Sequence, residues 1–118
     1  MTKIIVIDDD LHMRRMIVRI LTDVGHEVMG AENGRDGLNL FHSHRPNLVI
    51  TDILMPERDG LETIGEMRRT ATGVAIIAIS GGDPIYLDIA KKWGADVTLA
   101  KPFRTRDLVE TVSKLLTS

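Results

Sequence analysis

Apolar residues along this chain fall into two alternating rhythms. The runs Ile4-Ile5-Val6-Ile7, Leu48-Val49-Ile50 and Val74-Ala75-Ile76-Ile77-Ala78-Ile79 carry no polar interruption, as expected of strands covered on both faces. Between them, apolar positions recur every three or four residues, as on one side of a helix. The alternation predicts strands over residues 3–8, 26–31, 48–52, 74–80 and 97–100, the second with the weakest pattern. Helices are predicted over 10–24, 35–44, 60–69, from Asp83-Pro84 to Trp93, and over 104–116. Met13, Ile17, Ile20, Leu21 and Val24 recur at helical spacing in the first helix, and Leu108, Val112, Leu115 and Leu116 of the last are expected to face the sheet. In the second helix either Leu38 and Phe41 or Leu40 and His44 mark the faces. The punctuation agrees: Gly25, Gly73 and Gly94 close helices, Asn33-Gly34 opens one, and Pro46 imposes an extended entry to the third strand.

Five β-α units with short connections predict a doubly wound parallel sheet, because parallel strands need crossovers and those are right-handed. The fold class expected is α/β, a flavodoxin-like (βα)5 domain with strand order 2-1-3-4-5. At 118 residues the chain reads as one domain, residues 1–118, that buries roughly two-thirds of its unfolded surface. There is no linker, repeat or low-complexity segment.

Composition narrows the function. A formal net charge of −2 provides no global field for nucleic acid or an anionic membrane, so direct binding to either is not expected of this domain. Cysteine is absent, which removes disulfides and thiolate chemistry. The apolar run after Met1-Thr2-Lys3 is too short for a signal peptide and ends in three aspartates, so the expected location is cytoplasmic.

The candidate chemistry lies at the carboxyl ends of the strands, the edge where open α/β sheets bind ligands. The strand over 48–52 ends at Asp52, ahead of a turn marked by Met55-Pro56. In the expected strand order the first and third strands are neighbours, so Asp8 and Asp9 converge on Asp52. Three carboxylates in one pocket repel each other and call for a cation. Oxygen-only donors, few of them from protein, favour hexacoordinate Mg2+ over zinc or a calcium cage. Ser80 ends the fourth strand with a hydroxyl, and Lys101 ends the fifth with an ammonium. Mg2+, Lys101 and Ser80 together suit the equatorial oxygens of a transferring phosphoryl group, with the Asp52 carboxylate as the in-line nucleophile.

Asp8-Asp9-Asp10, the stretch from Asp52 to Gly60, Ser80-Gly81 and Lys101-Pro102-Phe103, in this order and spacing, resemble the receiver domain of bacterial two-component response regulators. The resemblance covers essentially the whole chain. It implies that Asp52 accepts a phosphoryl group from a histidine of a sensor kinase or a histidine phosphotransfer protein. It also implies that Asp9, Asp52 and the backbone carbonyl of Leu54 hold Mg2+, that Asp8 acts through water, and that a cis Lys101-Pro102 bond aims the lysine inward. On this reading the chain is no enzyme beyond its own phosphorylation and dephosphorylation. The readout would be a downstream protein or a fused output domain, through a surface of the fourth helix, fifth strand and fifth helix that could also form a homodimer.

The sequence departs from the family pattern in three places. Thr98 stands three residues before Lys101, where receivers usually carry Tyr or Phe, so Tyr86 on the fourth helix is the candidate for part of that relay. Leu54 and Gly82, two residues after Asp52 and Ser80, offer no polar side chain to assist hydrolysis. The competing classes are an aspartate-nucleophile phosphohydrolase, a flavodoxin-like cofactor binder, and a receiver-like binding module that works without phosphate. The first would want an acid at Leu54, the second more aromatic residues than 3%, and the third is disfavoured by the complete acidic pocket. Plainer readings also exist for individual residues. Asp10 is a helix cap, His12 an exposed residue, and Gly81-Gly82 a weak phosphate-loop signal without a P-loop lysine. Arg14, Arg15 and Arg19 form either a solvated helix face, with Arg19 paired to Asp23, or a kinase-docking face.

Overall fold

The computed structural model of the chain describes residues 2–55, 60–71 and 73–117. Its elements alternate without exception: β1 (Lys3–Ile7), α1 (Leu11–Asp23), β2 (Glu27–Ala31), α2 (Gly34–His44), β3 (Leu48–Asp52), α3 (Gly60–Thr70), β4 (Ala75–Ser80), α4 (Ile85–Trp93), β5 (Val97–Ala100) and α5 (Thr105–Thr117). The strands form one parallel sheet in the order β2-β1-β3-β4-β5, as the pattern of β-α units predicts. The turn expected at Met55-Pro56 falls on residues 56–59, which lie outside those described.

Strict alternation along each strand divides the core into two layers. Ile5, Ile7, Val49, Ile76 and Ala78 pack with Leu38 and Phe41 of α2, Ile64 and Met67 of α3, and Ala90 of α4. Ile4, Val6, Leu48, Ile50, Ile77 and Ile79 pack on the other face with Ile17 and Leu21 of α1 and Leu108 and Val112 of α5. Helix α2 therefore turns Leu38 and Phe41 inward, and His44 is exposed. The three central strands β1, β3 and β4 have both faces covered, which is why each carries an unbroken apolar run.

Local chemistry sets the helix ends. Asp10 caps α1, its carboxylate accepting from the backbone N–H groups of His12 and Met13. Asn33 caps α2 by accepting from the Asp36 N–H, and Gly25 and Gly94 take positive φ after α1 and α4. The start of α4 differs by one residue from expectation: Pro84 is the boundary residue. Asp83 still satisfies the free N–H groups there, its carboxylate accepting from Ile85 and its carbonyl from Tyr86.

A second fixed point lies at the opposite edge of the sheet from the aspartates. Arg68 of α3 donates to the carbonyls of Val74 and Gly94 and to the Asp96 carboxylate, each at 2.8 Å from one of its terminal nitrogens. Asp96 in turn accepts from the Ile76 N–H at 2.8 Å, so one guanidinium joins α3, β4 and the α4–β5 loop. By contrast, Arg19 and Asp23 pair at 3.4 Å with both side chains mostly in water. Arg68→Met should cost on the order of 2–3 kcal/mol, because charge-assisted hydrogen bonds are lost and carbonyls are stranded. Arg19→Met should cost less than about 1 kcal/mol, as exposed pairs do. Urea denaturation of both variants checks the contrast; equal losses would contradict it.

Candidate functional site

The sheet register brings the acids together. Ile7 pairs with Thr51, so Asp8, the next residue, comes out of β1 beside Asp52 at the end of β3. Carboxylate oxygens of Asp8, Asp9 and Asp52 all lie within 4.8 Å of one another. Asp8 and Asp52 are buried, whereas Asp9 is exposed at the rim. Ser80 pairs with Ala100 across β4 and β5, and the Lys101 N–H donates to the Ser80 carbonyl at 2.9 Å, so the last two strand ends arrive in step.

The Lys101-Pro102 bond is cis, and the Lys101 ammonium reaches inward to 3.4 Å from both Asp8 Oδ2 and Asp52 Oδ1. It bridges the two buried acids. The Ser80 hydroxyl is engaged differently: its oxygen accepts from the Gly82 N–H at 3.1 Å, which leaves the hydroxyl proton free to be donated. Leu54 is exposed, and a Cβ on Gly82 would lie 3.0 Å from its Cδ1 and 3.8 Å from Tyr86 Cδ2. Leu54, the Ser80 loop and Tyr86 are thus immediate neighbours.

Three residues that support the site stand out only in the structure. The buried Thr51 hydroxyl donates to the Asp52 carbonyl at 3.0 Å. Gly60, at the start of α3, packs so closely that any Cβ there would run into that same carbonyl, and its N–H donates to the Ile53 carbonyl at 2.8 Å. Arg14 is not the freely solvated residue that a basic stripe predicts. It is half-buried, and its Nη1 donates to the Asp8 carbonyl at 2.7 Å.

Electrostatics makes the pocket suited to a cation. Burial is the main reason the Asp52 carboxyl is pushed up from 3.8 to about 6; Lys101 lowers it and Asp8 and Asp9 raise it. Asp8 is raised for the same first reason, with the Asp10 N–H and Lys101 opposing and Asp9 adding to the rise. One ammonium therefore faces three carboxylates, and the set lacks charge balance. A hard divalent cation with oxygen preference fits this all-carboxylate donor set.

Asp52 also makes stability depend on pH. Its folded value lies above the ordinary one, so its contribution is fully present below 3.8 and is lost as pH rises through about 6. In the absence of divalent cations, Asp52→Asn should therefore be more stable than the parent at neutral pH, by on the order of 2 kcal/mol. The gain should shrink as pH falls through that window. Thermal denaturation of both chains across the range checks this; a parent as stable as the variant at neutral pH would contradict it.

Comparison with known proteins adds an independent line. The family model for the response regulator receiver domain matches residues 4–113. Response regulator MprA of Mycolicibacterium vanbaalenii is 36% identical over 115 residues, covering 97% of this chain and 50% of that protein. The probable transcriptional regulator ycf27 of Cyanophora paradoxa is 33% identical over 114 residues, covering 97% of this chain and 48% of the relative. The chain thus spans about half the length of the curated relatives it matches. Among solved structures, a CheY-like response regulator receiver domain protein of Methanospirillum hungatei superposes with a TM-score of 0.94 at 27% identity, over 99% of this chain and 94% of that one. Chemotaxis protein CheY4 of Vibrio cholerae gives 0.91 at 29% identity, over 98% and 99% of the two chains.

Proposed function

The chain belongs to the response regulator receiver domain family, and from that premise we propose that it is a phosphoryl-accepting switch whose acceptor is Asp52. The observation that carries this reading is the position of Lys101, 3.4 Å from oxygens of both Asp8 and Asp52 at the mouth of the strand edge. An ammonium there lies within reach of both the nucleophile and an incoming phosphoryl oxygen.

In the proposed reaction an Asp52 carboxylate oxygen attacks the phosphorus of a phosphohistidine in line. The P–N bond breaks with its electron pair passing to the imidazole, and an acyl phosphate forms on Asp52. The donor is a sensor histidine kinase or a histidine phosphotransfer protein. Mg2+, held by Asp9, Asp52 and the Leu54 carbonyl with Asp8 acting through water, would neutralise the acids and the phosphoryl oxygens. Lys101 contacts one phosphoryl oxygen, and Ser80 donates its free hydroxyl proton to another.

The switch follows from the new charge. A phosphoryl group on Asp52 offers Lys101 and the Ser80 hydroxyl stronger acceptors than a carboxylate does, which favours the conformer that closes both onto it. With Thr98 on β5 in place of an aromatic ring, Tyr86, one neighbour away across Gly82, carries the change to α4. The readout surface is then α4, β5 and α5, with Ile85 exposed at its edge, available to a downstream protein, an output domain or a second copy. Among the described residues no helix is long and apolar enough to cross a membrane. The chain's chemistry is confined to its own acyl phosphate, and a cytoplasmic location suits a kinase-fed receiver.

Intact mass after incubation with acetyl phosphate tests the proposal. One phosphoryl group should be gained, only with Mg2+ present, and the gain should vanish in Asp52→Asn. A phosphoryl gain that persists in Asp52→Asn, or neither an adduct nor released phosphate in the parent, would overturn it.

A further inference from the structure

One guanidinium supports the acidic rim of the pocket from outside. Arg14, early in α1, donates to the main-chain carbonyl of Asp8 at 2.7 Å. Its stem lies across the edge strand at Gly30, where a Cβ would come within 3.1 Å of Cδ and 3.2 Å of Cγ. The carbonyl it holds belongs to the peptide plane that joins Asp8 to Asp9.

These two aspartates are anchored very unequally. Asp8 donates its N–H to the Ala31 carbonyl at 3.0 Å, and its carboxylate accepts from the Asp10 N–H at 2.9 Å and from Lys101 at 3.4 Å. Asp9 is exposed, and among the described residues its carboxylate accepts no hydrogen bond. The direction in which the Asp9 side chain leaves the backbone therefore depends on the peptide plane before it, and Arg14 is the side chain that holds that plane.

We propose that Arg14 is a positioning residue for Asp9, fixing its carboxylate toward Asp8 and Asp52 and so setting the pocket's affinity for a divalent cation. This rests on the functional reading that Asp9 is a cation ligand. The effect has a sign that charge alone does not predict. A guanidinium near a dication repels it, so removing Arg14 as a mere charge would tighten cation binding. Removing it as a positioning group weakens binding, as the loss of groups that orient metal ligands does. A purely structural arginine would change stability and leave affinity where it was.

Gly30 belongs to the same device, because a side chain there would crowd the Arg14 stem where it lies on β2. Valine at this exposed strand position suits the backbone but pushes the stem away. Gly30→Val thus perturbs Arg14 without touching a charge.

The test is isothermal titration of the full chain with Mg2+, supported by phosphorylation by acetyl phosphate as a function of Mg2+ concentration. Arg14→Met should raise the Mg2+ dissociation constant about tenfold, with the phosphorylation rate at saturating Mg2+ unchanged. Arg14→Lys, which keeps the charge but not the planar fork, should fall between parent and Arg14→Met. Gly30→Val should weaken Mg2+ binding too, and should add nothing in the Arg14→Met background. Unchanged or tighter Mg2+ binding in folded Arg14→Met would overturn the proposal. If that variant does not fold, unchanged affinity in Gly30→Val overturns it. The parent chain is the separate control: a parent that binds Mg2+ yet takes no phosphoryl group contradicts the phosphoacceptor reading of Asp52 and leaves this proposal standing, whereas a parent that binds no Mg2+ overturns both.

Discussion

Repulsion among Asp8, Asp9 and Asp52 is the interaction on which the rest of the site depends. At an effective dielectric constant of about 20, two unit charges 4.8 Å apart repel by on the order of 3 kcal/mol, and here burial adds to the cost of ionising two of the three. A single ammonium, Lys101, offsets only part of this. The pocket is consequently held in a state that a dication relieves and that a well-neutralised phosphoryl group can exploit. The raised Asp52 carboxyl reflects burial first, with the charges of Asp8 and Asp9 adding to it and Lys101 opposing.

The fold makes that imbalance possible and keeps it in place. Placing β1 between β2 and β3 puts the ends of β1 and β3 side by side at the point where the chain changes direction across the sheet. Both strands are covered on two faces by helices, so their ends cannot move apart to relax the charges. Backbone anchors complete the frame: Thr51 and Gly60 fix the Asp52 peptide from one side, and Arg14 fixes the Asp8–Asp9 peptide from the other. At the far edge of the sheet, Arg68 ties α3 to β4 and the α4–β5 loop, next to the elements through which a change at Ser80 would pass.

Much of this was legible in the sequence because it follows from periodicity and from chemistry at strand ends. Unbroken apolar runs marked β1, β3 and β4 as central, and the alternation of strand and helix led to the sheet order. Once the order was set, Asp8, Asp9, Asp52, Ser80 and Lys101 had to share one edge. The supporting residues were not legible, for a physical reason. Arg14 sits in a stripe of arginines that looks solvated, and only Gly30, sixteen residues on and in a weakly patterned strand, gives it a surface to lie on. Gly60 reads as a turn residue, while its role is the close approach of α3 to the Asp52 carbonyl. Arg68 binds two carbonyls, which any sequence supplies, and the Asp96 carboxylate, whose separation of 28 residues follows no local spacing.

On the proposed function the Asp52 side chain itself takes the phosphoryl group. An acyl phosphate is reduced by borohydride to an alcohol, so trapping the acetyl-phosphate-treated chain and mapping its peptides by mass spectrometry identifies the acceptor. Homoserine is expected at position 52, with unmodified aspartate at positions 8 and 9. Reduction at position 8 or 9 with Asp52 intact would contradict it.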